Sequence, residues 1–196
     1  HEIRNPLSSI RGFAQYFAKL FPEGKEERTY ALAMIEESNR LNRVISELLN
    51  YSRPLELNLE SVSIHTLFED TIRILGVEKQ VERSEIPQGG GVEIALEIEP
   101  ELVLVQLDRE RMLQVLLNLA QNSLDAMPKG GTLTLKAARM AAQHSIQLIV
   151  ADTGLGISAS DLPRLFDPFF TTKARGTGLG LAIVRKIMDA HGGAVE

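Results

Sequence analysis

The sequence contains no cysteine, no long apolar run and no excess of basic residues. The absence of cysteine excludes disulfide bonds, thiolate metal sites and cysteine nucleophiles, and it fits a reducing compartment. No apolar run approaches the roughly 18 residues that span a bilayer. The net charge of -5 argues against nonspecific affinity for nucleic acid or for an anionic membrane surface. Any anionic ligand must therefore be bound by a local group of residues and not attracted by the net charge of the chain.

What the sequence does have is the length and apolar content of a folded protein. With 196 residues and 44% hydrophobic residues, it can form one large domain or two small ones. The chain begins at His1 within a helical pattern and ends abruptly at Glu196. We therefore expect it to be a piece of a longer protein.

Residues 1–53 have the pattern of two helices joined by a short turn at residues 22–24. On each helix the apolar residues alternate at spacings of three and four, with Glu27 and Glu37 as the exceptions on the second helix, and this predicts one apolar seam per helix. Two such helices form an αα-hairpin with half the core of a bundle, so burying both seams suggests a second copy and a dimeric four-helix bundle. The seam residues are Ile3, Leu7, Ile10, Ala14, Phe17 and Phe21, then Tyr30, Met34, Leu41, Val44, Leu48 and Tyr51.

Beyond this hairpin the pattern changes to alternating strands and helices. Residues 54–60 are predicted as a linker, because Arg53-Pro54 breaks the second helix. A short helix begins near Ser63, and Asp108 can cap a long helix ending near Met127. Strands are predicted at 92–98, 102–107, 132–137 and 145–151, and a final helix at 178–190. This order predicts an α/β sandwich in residues 61–196, with helices packed on one sheet, and an α+β chain overall.

Three polar residues at the start of the first helix could carry chemistry. His1, Glu2 and Asn5 face away from the predicted seam, and His1 and Asn5 share a face. A neutral imidazole can attack a phosphoryl group if a carboxylate takes or orients the proton on its other nitrogen. The alternative is an ordinary solvent-facing histidine at a frayed terminus.

A polar stripe runs along the long helix through Gln114, Asn118, Asn122 and Asp125. Magnesium prefers oxygen ligands and is usually held by one or two protein oxygens plus substrate phosphates. Asn122 could supply such an oxygen. The alternative is a solvated helix face.

Two glycine-bearing segments follow, at residues 152–156 and 176–180. A carboxylate such as Asp152, at a strand end, can accept a hydrogen bond from an exocyclic amine such as adenine N6. Glycines allow close backbone approach, and a turn into a helix offers N–H groups to phosphate. The intervening residues 158–176 combine phenylalanines with Lys173 and have the composition of a mobile lid. Each glycine segment taken alone is equally compatible with an ordinary turn.

The order of these segments resembles the two-component sensor histidine kinases. His1 to Pro6 resembles the H box of that family, and Asn118 to Asp125 the N box. Asp152 to Gly156 resembles the G1 box, Phe166 to Phe170 the F box and Gly176 to Gly180 the G2 box. All five occur in the family's order over essentially the whole chain. Asn-Ser-Leu-Asp-Ala together with Phe-Phe-Thr-Thr-Lys is similar to the branch of nitrogen-regulation and zinc-responsive sensors, the ZraS or HydH type.

The resemblance implies ATP- and Mg²⁺-dependent phosphorylation of His1, with Glu2 as its base or orienter. It implies that Asn5 positions water for dephosphorylating the partner, that Asn122 is a magnesium ligand and that Asp152 contacts adenine. Many relatives carry a basic residue at the position of Asp125, where this chain departs from the family. The full set of implied nucleotide-binding residues is Asn118, Asn122, Asp125, Asp152, Gly154, Gly156, Phe166, Phe170, Thr172, Lys173, Gly176, Thr177, Gly178, Leu179 and Gly180.

The same resemblance implies the partners. They are a second copy of the chain and the receiver domain of a response regulator. An aspartate of that receiver domain takes the phosphoryl group from the kinase, and the kinase can also remove this group as a phosphatase. No direct contact with nucleic acid is implied. The chain would be a cytoplasmic domain of a protein anchored in the inner membrane through a missing N-terminal region.

Two alternative functions are considered. One is an ATPase of the gyrase or MutL type, but such ATPases lack the H box. The other is a degenerate dimerisation scaffold, which a nucleotide-binding assay would distinguish from a kinase.

Overall fold

A computed structural model describes residues 3–76, 91–100, 102, 104–140, 145–173 and 176–196, without the side chain of Asn50. The chain divides into two compact units, residues 1–54 and 55–196. His1 and Glu2, two of the predicted catalytic residues, lie outside the described residues.

The first unit is the predicted αα-hairpin, which the structure confirms. Helix α1 spans Arg4–Leu20 and helix α2 spans Glu26–Ser52. The turn between them includes Gly24 at a φ of 85°, a left-handed conformation that favours glycine. Arg28 closes the turn, because its guanidinium donates to the Phe21 carbonyl at 3.3 Å. Neither helix, nor any other in the described part of the chain, is long and apolar enough to cross a membrane.

The predicted seams divide between two faces of the hairpin. Leu7 and Ala14 of the α1 seam are buried against α2, together with Ala18, and Ala31 and Ser38 are buried on α2. Phe21, Val44 and Tyr51 are half-buried, and seven other large seam residues remain exposed in a single copy of the chain. They are Ile3, Ile10 and Phe17 on α1 and Tyr30, Met34, Leu41 and Leu48 on α2.

The second unit contains five strands and three α-helices within the described residues. Strands β1 (Glu60–Val62) and β3 (Val105–Leu107) form an antiparallel pair. Strands β2 (Val92–Ile98), β4 (Gly131–Met140) and β5 (Ser145–Asp152) form a second sheet in the order β2-β4-β5, with β2 parallel and β5 antiparallel to β4. The helices are α3 (Ile64–Leu75), α4 (Arg109–Ala126) and α5 (Gly180–Ala190), and Leu162–Arg164 forms a short 3-10 helix. The prediction of one sheet was therefore wrong for the described strands, which form two.

Two predicted helix starts are confirmed by their caps. The Ser63 hydroxyl accepts a hydrogen bond from the Thr66 N–H at 3.4 Å, and Asp108 Oδ1 accepts from the Arg111 N–H at 2.9 Å. The second oxygen of Asp108 accepts from the backbone N–H of Asn58 at 2.9 Å. Because Asn58 lies in the segment predicted as a linker, the end of that segment is bound to the start of α4.

Helix α4 is the centre of this unit and packs against α3, α5, β4 and β5. Every second residue of the middle of β4 is buried, namely Leu133, Leu135 and Ala137, as the pleat of a half-covered strand requires. On α3 the buried Asp70 carboxylate forms ion pairs with Arg73 and with Arg109 of α4. Large side chains that are fully buried include Ile64, Leu67, Phe68, Leu116, Leu179 and Ile187.

Candidate active site

The polar stripe predicted on α4 forms one side of the candidate site. Asn118, Asn122 and Asp125 follow one another at spacings of four and three residues, so they share a helix face. Asn118 and Asn122 are half-buried and Asp125 is exposed. The stripe therefore combines amide and carboxylate oxygens beside the packed core of the unit.

Lys173 reaches this stripe from the segment that precedes α5. Its Nζ donates to Asn122 Oδ1 at 2.8 Å and to Asp125 Oδ2 at 2.7 Å. We call this three-residue contact the lysine bridge. The Lys173 backbone is fixed as well, because its N–H donates to Thr171 Oγ1 at 3.1 Å and its carbonyl accepts from the Gly176 N–H at 3.1 Å.

The lysine bridge also sets the protonation of Asp125. Partial burial acts to raise the pKa of this carboxyl, but hydrogen bonds from Lys173 and Gln121, together with the positive charge of Lys173, outweigh burial and lower the pKa. Asp125 is therefore ionised at neutral pH.

The segment that follows β5 is pressed against the end of α4. The Leu155 N–H donates to the Ala126 carbonyl at 3.1 Å, and a methyl group at Gly154 would lie only 2.6 Å from that same oxygen. Glycine is needed at this position for that reason. Asp152 is exposed and uses Oδ1 to accept from the Gly154 N–H at 2.9 Å, which shapes the turn. Its second oxygen is the group available to an amine donor.

The glycine turn before α5 contacts both α4 and the aromatic segment. A methyl group at Gly180 would meet Asn118 Oδ1 at 3.5 Å, so the first residue of α5 lies against the polar stripe. The Gly178 carbonyl accepts from the Phe169 N–H at 2.9 Å, and a methyl group at Gly178 would lie 2.4 Å from the Phe169 carbonyl carbon. Gly178 has a φ of 69°, so glycine is required there on both grounds.

The two predicted aromatic residues of this segment are half-buried and stack with arginines. The Arg185 guanidinium lies 4.5 Å from the centre of the Phe166 ring, and that of Arg164 lies 4.7 Å from the Phe170 ring. Arg185 belongs to α5, so Phe166 packs against the helix whose N-terminus lies at the site.

The remaining predicted nucleotide residues line the same turns. Thr177 is half-buried and its hydroxyl accepts from the Leu179 N–H at 3.4 Å, while the Leu179 side chain is fully buried. Thr172 is exposed, and Gly156 adopts a φ of 72° with open space around its α-carbon. Asn5 is exposed on α1, in the other unit. All predicted nucleotide residues thus lie on α4, at the end of β5 or between there and the first residue of α5.

Two residues that position this site were not predicted. Gln121 donates to Asp125 Oδ1 at 2.9 Å, and the spacing of four residues on one helix could have indicated the pair. Thr153 Oγ1 accepts from the Thr132 N–H at 2.9 Å, which fixes the segment after β5 to the start of β4. No local sequence signal indicated this second contact.

The oxygens of the stripe fit magnesium better than a metal that needs a full protein cage. Among the residues that the structure describes, no three His, Cys, Asp or Glu side chains form a group able to hold a metal ion. Magnesium needs fewer protein ligands, because it keeps waters and binds substrate phosphates. Asn122 Oδ1 is a hard oxygen that already contacts one cation, the Lys173 ammonium.

Comparison with known families gives the class of the chain. The family described as the His Kinase A (phospho-acceptor) domain matches residues 1–56. The family described as the histidine kinase-, DNA gyrase B-, and HSP90-like ATPase matches residues 107–196. A phospho-acceptor domain followed by this ATPase domain defines a histidine kinase core, and the chain belongs to the two-component histidine kinases.

Within that family the core is of the ZraS type. The sensor histidine kinase ZraS of Salmonella typhi is 40% identical over 196 residues, which cover 100% of this chain and 40% of ZraS. The crystal structure of full-length ShkA in complex with AMPPNP has a TM-score of 0.75 at 29% identity, covering 100% of this chain and 40% of ShkA. The ThkA structure in complex with the response regulator TrrA has a TM-score of 0.65 at 27% identity, covering 98% and 53%. The chain thus spans about two fifths of the length of ZraS.

Proposed function

We propose that the chain uses ATP and Mg²⁺ to phosphorylate His1 and passes the phosphoryl group to an aspartate of a response regulator. The observation that carries the proposal is the convergence on α4 of the polar stripe, Lys173 and both glycine segments. This convergence occurs in a chain whose first 56 residues match a phospho-acceptor domain.

The site supplies the two things that phosphoryl transfer needs, which are positioning and charge neutralisation. Asp152 would accept a hydrogen bond from the adenine amine. Lys173 and the N–H groups at the start of α5 would face the phosphates, since a helix N-terminus leaves N–H groups free for anions. Asn122 would hold magnesium, which neutralises phosphate charge when bound.

At the acceptor, one ring nitrogen of His1 would attack the γ-phosphoryl group of ATP, and the bond from that group to ADP would break so that ADP leaves. Glu2 would take or orient the proton on the second ring nitrogen. Asn5, exposed on the first turn of α1, would position water when the phosphorylated partner is dephosphorylated. These roles come from the match of His1 to Pro6 with the H box.

The hairpin would act as a dimer. Ile10 follows the packed Leu7 by three positions, and Phe17 follows the packed Ala14 by three, so a second apolar row lies beside the packed face of α1. The exposed residues of α2 form a corresponding row. Pairing two hairpins through these rows would complete a four-helix bundle.

The response regulator and the membrane are the other proposed partners. ThkA, similar over nearly the whole of this chain, is in complex with a response regulator, TrrA. ZraS is a sensor histidine kinase of which this chain covers 40%. We therefore infer a longer sensor protein, anchored in the inner membrane, of which these residues are the cytoplasmic core.

Labelling with radioactive ATP and magnesium tests the proposal. The whole chain should gain acid-labile phosphate, and His1→Gln should gain none while binding ADP as tightly as the original chain. His65→Gln is the matched control, because His65 is an exposed histidine whose Nδ1 lies 3.4 Å from the Glu69 carboxylate. Label that persists in His1→Gln, or that is lost in His65→Gln, would contradict the assignment of His1.

A second experiment decides which subunit's ATP serves which histidine. His1→Gln keeps the proposed nucleotide site, and Asn122→Ala keeps the acceptor. If the two variants are mixed and label appears on the Asn122→Ala subunit, transfer runs between subunits of the dimer. If neither the mixture nor the separate variants are labelled, each ATP serves its own chain.

A further inference from the structure

The Lys173 ammonium donates to Asn122 Oδ1, the same oxygen that would bind magnesium in the proposed function. An ammonium has three donors and no acceptor, and two of its donors here go to Asn122 Oδ1 and Asp125 Oδ2, at 2.8 and 2.7 Å. Asp125 is itself oriented by Gln121. Both partners in the lysine bridge are therefore held in place. Gln121 orients the Asp125 carboxylate, and the Thr171 hydroxyl accepts a hydrogen bond from the Lys173 backbone.

The lysine bridge and a magnesium ion cannot both occupy Asn122 Oδ1. A magnesium ion on Asn122 Oδ1 would stand next to the ammonium that contacts the same atom, and like charges so close repel. Lys173 must therefore leave Asn122 when magnesium binds. A nucleotide phosphate offers the displaced ammonium a new anionic partner.

Asp125 decides how firmly Lys173 is held. The side chains of Asp125 and Lys173 are 41% and 42% exposed, so their attraction is screened by solvent and is weak enough to be exchanged for another partner.

We propose that Asp125 is a positioning residue that holds Lys173 on Asn122 until nucleotide and magnesium arrive. Magnesium then takes the amide oxygen and a phosphate takes the ammonium. This inference rests on the proposed function and deepens it, because it makes magnesium loading a competition with a group of the protein itself.

Calorimetry with ADP as the probe tests the proposal without reading activity. The Kd of ADP is measured on the whole chain with saturating MgCl₂ and again with EDTA, and the ratio gives the enhancement by magnesium. Asp125→Asn keeps the size of the side chain but removes the charge that holds Lys173. We expect the enhancement to rise roughly two- to fivefold, the range of one exposed ion pair.

Three further variants separate the lysine bridge from a general effect of charge. In a Lys173→Gln background, Asp125→Asn should no longer raise the enhancement, because the bridge is already absent. Asp125→Glu keeps a carboxylate and should resemble the original chain. Glu97→Gln is the matched control, since it removes one carboxylate from the exposed pair that Glu97 forms with Lys136 at 3.0 Å between β2 and β4, and it should change nothing.

An unchanged or reduced enhancement in Asp125→Asn would overturn the proposal, because Asp125 would then attract magnesium itself or have no influence on it. A rise of equal size in the Lys173→Gln background would also overturn it. If the original chain binds ADP with no effect of magnesium, the proposed metal site itself is contradicted, and this result does not depend on Asp125.

Discussion

The two units of the chain differ in what they bury. The second unit buries large side chains completely, among them Phe68, Leu133 and Leu135 at 0% exposure. The buried positions of the hairpin are mostly small, such as Ala14 and Ala31, while twelve of its large apolar residues are 40 to 67% exposed. The second unit therefore has a complete hydrophobic core of its own. The hairpin leaves a large part of its apolar surface exposed in a single copy of the chain.

The largest expected effect comes from breaking the core of the second unit. Leu135→Ala in β4 should lower the free energy of unfolding of this unit by about 2 to 5 kcal/mol, because it removes a fully buried side chain and leaves a cavity. Leu104→Ala, at a position 62% exposed in the same unit, should change it by no more than about 0.5 kcal/mol. Urea denaturation measures both, and equal effects would contradict the assignment of the core.

A charge placed on the exposed row of the hairpin should break the dimer without unfolding either unit. Leu41 is 41% exposed in one copy, and burying such a side chain in a dimer contributes about 1.5 to 3 kcal/mol before ordering costs. Leu41→Glu should therefore convert the dimer to monomers in sedimentation velocity. Leu32→Glu is the control, because exposed Leu32 lies on the other side of α2. A dimer that survives Leu41→Glu but not Leu32→Glu would place the interface on the wrong face.

The cap of α4 should give a smaller, pH-dependent effect confined to the second unit. Burial acts to raise the pKa of Asp108, but hydrogen bonds from the Arg111 and Asn58 backbones and the positive charge of Arg111 lower it. The carboxylate therefore stabilises the fold above its ordinary pKa of 3.8, and this contribution is lost as the pH falls through the lowered pKa.

Asp108→Ala should accordingly cost about 0.5 to 2 kcal/mol near pH 7. The difference from the original chain should shrink below pH 3.8. Denaturation curves at several pH values measure it. A difference that persists unchanged in acid would show that the charge of Asp108 is not what stabilises α4.

The sequence predicted those parts of the fold that local chemistry decides. The caps at Ser63 and Asp108 and the alternating strand β4 are signals read over a few neighbouring residues. The candidate nucleotide residues, which remain a prediction, could be named from the sequence because they lie in short motifs on α4, at the end of β5 and after it. The two helices of the hairpin followed from their apolar spacing in the same way.

Contacts between distant segments could not be predicted. Each hairpin helix has two adjacent apolar faces, and periodicity alone does not say which one packs within the chain. The bond from Lys173 to Asn122 joins residues 51 positions apart. His191 Nε2 likewise accepts from the Asp108 N–H at 3.0 Å across 83 positions, linking the end of α5 to the start of α4. Such pairs depend on how whole elements pack.

Hydrogen exchange at low and high protein concentration tests the contrast between the two units most directly. Dimerisation stabilises by mass action, so a roughly hundredfold rise in concentration should increase the protection of a unit whose core is completed by a second copy. We predict slower exchange in α1 and α2 at high concentration and unchanged exchange in α4 and β4. Hairpin protection that is independent of concentration would contradict the account, and so would protection of α4 and β4 that rises together with that of the hairpin.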